Sequence, residues 1–214
     1  GLRGSTYSPE DGSCSPLLTL NAIYFKSLEY GAEYHFNEKV TGMKLDNGQI
    51  SEVQTDKGTY TAKFVINASG NNAKEISAMA GIDCPVNPDC HEAAITDPVK
   101  RFFGPMVVDM RPEKGSKNFY FYQNHEGQVV FCITPDPAIL GTDNDATSEF
   151  LPLCTKRMLK IYPKLKNLKV RRQWRGQYPM TPDGFPIVGK MKEVPNFIQA
   201  VGMCGQGFML GPGL

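Results

Sequence analysis

Phe64-Val65-Ile66-Asn67-Ala68-Ser69-Gly70 is a mostly apolar run that ends abruptly in small residues. A strand of this kind reads as buried, and the small residues read as a tight turn at its end. A short helix, Ala73 to Ala80, is expected directly after the turn.

The flanking sequence extends the pattern. Ser15-Pro16 offers a capping hydroxyl and then proline at the first helical position. Leu17, Leu20, Ile23, Tyr24 and Leu28 follow at helical spacing, and Gly31 is placed to end the helix in a left-handed conformation. Three strand-like runs come next. Tyr34 to Leu45 ends at Asn47-Gly48, the favoured pair for a two-residue hairpin. Gln49 to Thr55 ends at Lys57-Gly58, and Tyr60 to Asn67 forms the third run.

From Cys84 to Thr134 the texture changes to short β-rich segments divided by Pro and Gly, as in an antiparallel sheet. His91 to Thr96, Met106 to Met110, Asn118 to Gln123 and Gln128 to Ile133 are the expected strands. A loop over Pro135 to Asp145 leads to an amphipathic helix with Phe150, Leu151, Met158, Leu159 and Tyr162 on its apolar stripe, stopped by Pro163. A strand over Leu168 to Tyr178 returns toward a Pro/Gly-rich end. Gly1 to Gly12 reads as the middle of a loop, and Gly211-Pro212-Gly213-Leu214 stops where a helix could begin, so the chain reads as a piece of a longer protein.

Charge and cysteine usage narrow the function classes. With 23 basic and 22 acidic residues the net charge is +1, and no nucleic-acid surface is expected. The densest basic stretch, Lys164 to Arg172, reads as a solvated strand and turn. No run approaches the ~20 apolar residues of a membrane span, and no leader opens the chain. Cys14, Cys84, Cys90, Cys132, Cys154 and Cys204 form no Cys-x-x-Cys pair and no metal-ligand spacing, so they read as reduced thiols of a cytoplasmic protein with no metal site.

Three segments together resemble the D-amino-acid oxidase superfamily of flavoproteins, above all glycine oxidase and the β-type subunits of sarcosine oxidase and proline dehydrogenase. The first is Tyr7-Ser8-Pro9-Glu10-Asp11-Gly12 with the helix after it, and the second is Val65 to Gly70. The third runs from Trp174-Arg175-Gly176-Gln177-Tyr178-Pro179-Met180-Thr181-Pro182-Asp183-Gly184 to Val188-Gly189, then Ala200-Val201-Gly202-Met203-Cys204-Gly205-Gln206-Gly207-Phe208-Met209.

The resemblance implies an α/β, or mixed α+β, fold. It comprises a partial FAD-binding layer and a mostly antiparallel β substrate domain with flanking helices. Residues 1–81 and 167–214 would belong to the flavin side and residues 82–166 to the substrate side. The family grips the FAD pyrophosphate with a Gly-rich βαβ turn. This chain contains no G-x-G-x-x-G, so FAD is expected in the complete protein and weakly or not at all on this chain by itself.

Site residues follow from the same resemblance. Val40 falls where the family makes a main-chain contact to the adenine, and plain core packing is the competing role. Ala68, Ser69 and Gly70 match the small-residue turn beside the cofactor. Gly202, Gly205, Gln206, Gly207, Phe208 and Met209 match the segment along the flavin ring edge. Tyr120 falls where a tyrosine binds the substrate carboxylate, and period two puts Tyr122 on its face, with an aromatic sheet face in the core as the competing role. Tyr178 stands where glycine oxidase-like members carry a carboxylate-binding arginine. Strict alternation sets Arg175 on the face opposite Tyr178 unless a bulge intervenes. Arg101 is another candidate anchor, His91 reads as a structural histidine, and a covalent flavin link at Cys204 is unsupported.

The implied activity is oxidation of a small amine or amino acid of the sarcosine, glycine, proline or opine class to an imine. Other subunits of a heteromeric oxidoreductase are the expected protein partners. The alternative is a binding or assembly module that folds without flavin.

Overall fold

The computed structural model describes residues 3–214. Gly1 and Leu2, which open the expected loop, lie outside the described residues. The chain divides into two compact units. Unit 1 comprises the described part of Gly1–Phe25 with His91–Ile139 and Asp143–Gly176, and unit 2 comprises Lys26–Cys90, Leu140–Thr142 and Gln177–Leu214. The divisions at 90/91 and 176/177 fall inside two long strands, Asn87–Thr96 and Val170–Met180. The resemblance implied divisions near 81 and 166. Residues 3–25 group with unit 1, where the resemblance put them on the flavin side.

The expected first helix is present as α1, Pro16–Glu29. Leu18 N donates to Ser15 Oγ at 3.4 Å, and Gly31 ends the helix at φ +85°. Strands β1 (Val40–Asp46) and β2 (Gln49–Thr55) form the expected hairpin. Asn47 and Gly48 take φ of 50° and 75°, the left-handed pair that matches strand twist. Residues 34–39 are not strand, contrary to the pattern, because Asn37 turns the backbone at φ 56°. The third run is also divided. β3 (Thr59–Tyr60) pairs with β2, whereas β4 (Val65–Asn67) enters a different sheet.

That sheet carries the unit 2 segments on which the resemblance rests. β4 pairs in parallel with β11 (Phe197–Val201), which pairs antiparallel with β10 (Ile187–Lys190). α2 (Ala73–Met79) follows β4. Phe197, Val201, Ala73 and Val86 are all at most 1% exposed and fill the interior on this side of the sheet. A four-residue helix, α4 (Gly207–Leu210), follows β11.

Unit 1 is built on an antiparallel sheet ordered β6-β7-β8-β5-β9, with β5 at Asn87–Thr96, β6 at Val107–Asp109, β7 at Ser116–Gln123, β8 at Val129–Pro135 and β9 at Val170–Met180. Its core face packs against α3 (Phe150–Ile161) through Ala94, Phe119, Phe121, Phe131, Phe150, Cys154 and Met158. These strands sit within a few residues of the expected ones, and burial alternates along β7 from Asn118 to Gln123.

A charged clasp fixes α3 to the sheet. Arg157, 1% exposed, donates through Nη1 to Ser116 Oγ at 2.8 Å and through Nη2 to Arg111 O at 2.6 Å. Its Nη2 is 3.3 Å from Asp109 Oδ2. Hydrogen bonds from Arg111, opposed by burial and aided by Arg157, bring the Asp109 carboxyl down to about 2.

Candidate functional site

In unit 2 the turn after β4 is organised by a residue the sequence reading did not single out. Asn67, 2% exposed, donates Nδ2 to Gln199 Oε1 and Ser77 Oγ, both at 3.0 Å, and to Ala73 O at 3.2 Å. Its Oδ1 accepts from Ser69 Oγ at 2.6 Å and Ser69 N at 3.2 Å. Ser69 is thus turned inward to shape the loop. A polar residue closing an otherwise apolar strand was the available signal.

The turn leaves room outside it. Gly70 sits at φ +56°, and a Cβ there would meet nothing within 4 Å. The next residue, Asn71, donates Nδ2 to Gln177 Oε1 at 3.3 Å, while its Oδ1 is buried without a hydrogen-bond partner. Val40, the first residue of β1, is half-buried.

The Gly-rich loop after β11 is held from beneath. Gly202 (φ +69°) has no room for a side chain, since a Cβ would lie 2.4 Å from Thr181 Cγ2. Cys204, at φ 52° and 8% exposed, donates its N–H to Pro179 O at 3.2 Å and keeps its thiol 3.6 Å from Thr181 Oγ1, inside the unit. Gly205 packs on the Tyr178 ring, and Gly207 approaches Met203 Cβ to 3.0 Å as measured from its own ideal Cβ. Gln206 is exposed and its carbonyl accepts from the amides of Met209 and Leu210 at 3.0 Å. Phe208 and Met209 stand outward at 49% and 72% exposure. The structure therefore brings Tyr178 to the Gly-rich loop.

In unit 1, Phe119 and Phe121 point into the α3 core, so Tyr120 and Tyr122 point the other way and are half-buried. Tyr120 lies opposite Cys132 and Tyr122 opposite Val130 across β7–β8. Burial pushes the Cys132 thiol up to about 11, against a hydrogen bond with Tyr120. Burial also raises the Tyr122 phenol, helped by Cys14. His91, 7% exposed, has the parity of Ala93 and so belongs to the tyrosine face.

Arg175 is placed elsewhere. Glu92 shares the parity of Ala94 and hence the α3 side, where its carboxylate accepts from Thr147 N at 2.6 Å and Thr147 Oγ1 at 2.9 Å. Gln173 Nε2 reaches Thr147 O at 2.9 Å, and Arg175 Nη1 reaches Asp143 Oδ2 at 3.0 Å and Asp145 O at 3.1 Å. Gln173 and Arg175 thus pin the loop over residues 143–147. Alternation along the strands keeps Arg175 away from Tyr120. Arg101 is exposed, with Nε 3.5 Å from Phe103 O. Among the described residues no three His, Cys, Asp or Glu side chains are grouped to hold a metal ion.

The sequence matches the model of one family, described as FAD dependent oxidoreductase (DAO), over residues 1–214. The chain belongs to the DAO family of FAD-dependent oxidoreductases. Among DAO-family relatives it is 26% identical to hydrogen cyanide synthase subunit HcnC of Pseudomonas protegens over 194 residues, 90% of this chain and 44% of that protein. It is 29% identical to sarcosine oxidase subunit beta of Rhizobium meliloti over 185 residues, 85% of this chain and 42% of that protein. Its fold matches the crystal structure of L-proline dehydrogenase from P. horikoshii with a TM-score of 0.84 and 35% identity, covering 92% of this chain and 52% of that one. The chain therefore spans less than half the length of these curated relatives. The mixed fold with antiparallel sheets is that of the DAO family. Among the described residues no helix is long and apolar enough to cross a membrane.

Proposed function

We propose that this chain supplies part of an enzyme that oxidises the C–N bond of a small amine or amino acid, of the sarcosine, glycine, proline or opine class, to an imine with FAD as oxidant. The observation that carries this is the 35% identity to an L-proline dehydrogenase across 92% of the chain, at a TM-score of 0.84. Unit 2 is the flavin side and unit 1 the substrate side. When bound, FAD supplies the two-electron acceptor.

The residues present fit that cofactor. Open space beside Gly70 and the unmatched acceptor of Asn71 suit a ligand that carries donors. Ala68, Ser69, Gly70 and Val40 would hold the nucleotide portion. Gly202, Gly205, Gln206, Gly207, Phe208 and Met209 would line the ring edge, with Phe208 and Met209 excluding water. Tyr178 supports that loop through Gly205. On the substrate side, the Tyr120 phenol would donate to a carboxylate, and Tyr122 would wall the same face.

Partner subunits complete the enzyme, a reading supported by relatives named as subunits of hydrogen cyanide synthase and sarcosine oxidase. Six free cysteines, five of them buried, support a reducing compartment such as the cytoplasm.

The test is spectral. The full-length protein should absorb near ~450 nm as isolated. Anaerobic addition of sarcosine, glycine or proline should bleach that band, and reoxidation by oxygen or by a dye should separate oxidase from dehydrogenase. A colourless protein, or a flavin that none of these amines bleaches, would overturn the assignment.

A further inference from the structure

We propose that the corner of unit 1 where α3 runs into β9 is a docking site for an acidic peptide segment of a partner protein, anchored by an aromatic side chain. The first observation is a charge imbalance. Residues 150–182 contain no acidic residue and nine basic ones, in a chain whose net charge is only +1. Three of the nine are spent inside the fold, Arg157 on Asp109, Lys160 on Glu113 and Arg175 on Asp143. The other six, Lys156, Lys164, Lys166, Lys169, Arg171 and Arg172, are exposed and form no ion pair among the described residues. Asp97 and Glu126 on neighbouring segments are exposed and pair with none of them.

The second observation is shape. Val99, Lys100, Phe102, Tyr162, Lys164 and Leu168 line an open, shallow hollow of about 460 Å³. Leu168 also borders a second hollow of about 260 Å³, which Lys166 and Thr155 help to line. The Phe102 and Tyr162 rings lie 5.8 Å apart, and Phe102 is 42% exposed. A partly exposed aromatic pair therefore stands among cations that have no ion-pair partner among the described residues.

Charge decides the sign of the occupant, and concavity decides its class. A hollow bounded by rings accepts one inserted side chain, the way interface anchors bind. Unpaired cations around it select acidic flanks and speed encounter. A bilayer surface or a nucleic-acid backbone would meet the same charges but would leave the hollow unfilled.

Fluorescence anisotropy on the full-length protein tests this, with a labelled oligoglutamate peptide carrying one central phenylalanine as probe. Saturable binding that weakens as salt is raised is expected. Lys164→Glu with Lys166→Glu should weaken it by about tenfold or more, as expected for removal and reversal of steering charge. Phe102→Ala should weaken the phenylalanine peptide and leave a glycine-centred version unchanged. Absence of saturable binding, or equal binding by the charge-reversed variant, would overturn the proposal. So would tighter binding of phosphatidylserine-containing vesicles or of a single-stranded oligonucleotide with the same dependence on Lys164 and Lys166.

Discussion

The Tyr178 ring occupies the space that a side chain on Gly205 would need, since an ideal Cβ at Gly205 would lie 3.0 Å from Tyr178 Cε2. Gly205→Val should therefore cost roughly 1–3 kcal/mol as overpacking, read as a lower Tm. Tyr178→Ala in the same background should recover part of that loss. Independent, additive effects of the two substitutions would show that the ring and the glycine do not share the space.

Asn67 serves Gln199, Ser77, Ala73 and Ser69 at once. Asn67→Ala should cost roughly 1–3 kcal/mol, because buried partners lose their hydrogen bonds. Flavin content of the full-length protein should fall with it, since the 68–70 turn loses its anchor. An unchanged Tm would place the stability of the turn in the backbone alone.

Tyr120→Phe removes one phenolic donor and keeps the ring. If that donor meets a substrate carboxylate, kcat/KM should fall about 10- to 150-fold, the equivalent of a charge-assisted hydrogen bond of roughly 1.5–3 kcal/mol. The flavin spectrum should stay as it is. Tyr7→Phe, at a 71% exposed position, is the control and should leave the kinetics unchanged. Equal behaviour of the two variants would remove this sheet face from the active site.

The clasp at α3 predicts a pH dependence. The folded Asp109 carboxyl lies at about 2, below its ordinary 3.8, so its contribution is full above pH 4 and is lost as pH falls toward 2. The shift corresponds to roughly 2 kcal/mol. Asp109→Asn should flatten the acid limb of a stability–pH curve between about pH 4 and 2. Arg157→Ala should be more damaging, because it leaves Ser116 Oγ and the Arg111 carbonyl without their donor inside the fold, roughly 1–3 kcal/mol for each buried group left unsatisfied, while Arg111 still holds Asp109. Parallel acid limbs in wild type and Asp109→Asn would refute the assignment.

Arg175→Ala should free the loop over residues 143–147 and raise its cleavage by a protease in limiting amounts. Asp143→Asn should do less, because Asp143 is 61% exposed and an exposed partner contributes little. Equal resistance of all three proteins would mean that Glu92 and Gln173 hold the loop unaided.

Local chemistry made much of this legible in advance. Ser15-Pro16, Gly31 and Asn47-Gly48 act through their own backbone preferences, and each did what its residue type requires. Period-two alternation correctly set Tyr120 and Tyr122 against Phe119 and Phe121. What stayed hidden depends on distant partners. The run Tyr60 to Asn67 looked continuous, yet β3 and β4 join different sheets, because β4 is claimed by a strand near the other end of the chain. Alternation put Arg175 on the face opposite Tyr178, but its partners Asp143 and Asp145 come from a loop that no local pattern links to it. A polar residue closing an apolar strand marked Asn67, but its partner Gln199 lies too far along the chain for any local pattern to reveal.

The parallel pairing of β4 with β11 also bears on how the protein is made. Asn67 and Gln199 are 132 positions apart, so β4 leaves the ribosome long before its partner exists. All of unit 1's sheet and α3 are synthesised in the interval. β4 therefore waits for β11 while the intervening residues are synthesised, which makes this pairing a late event in folding.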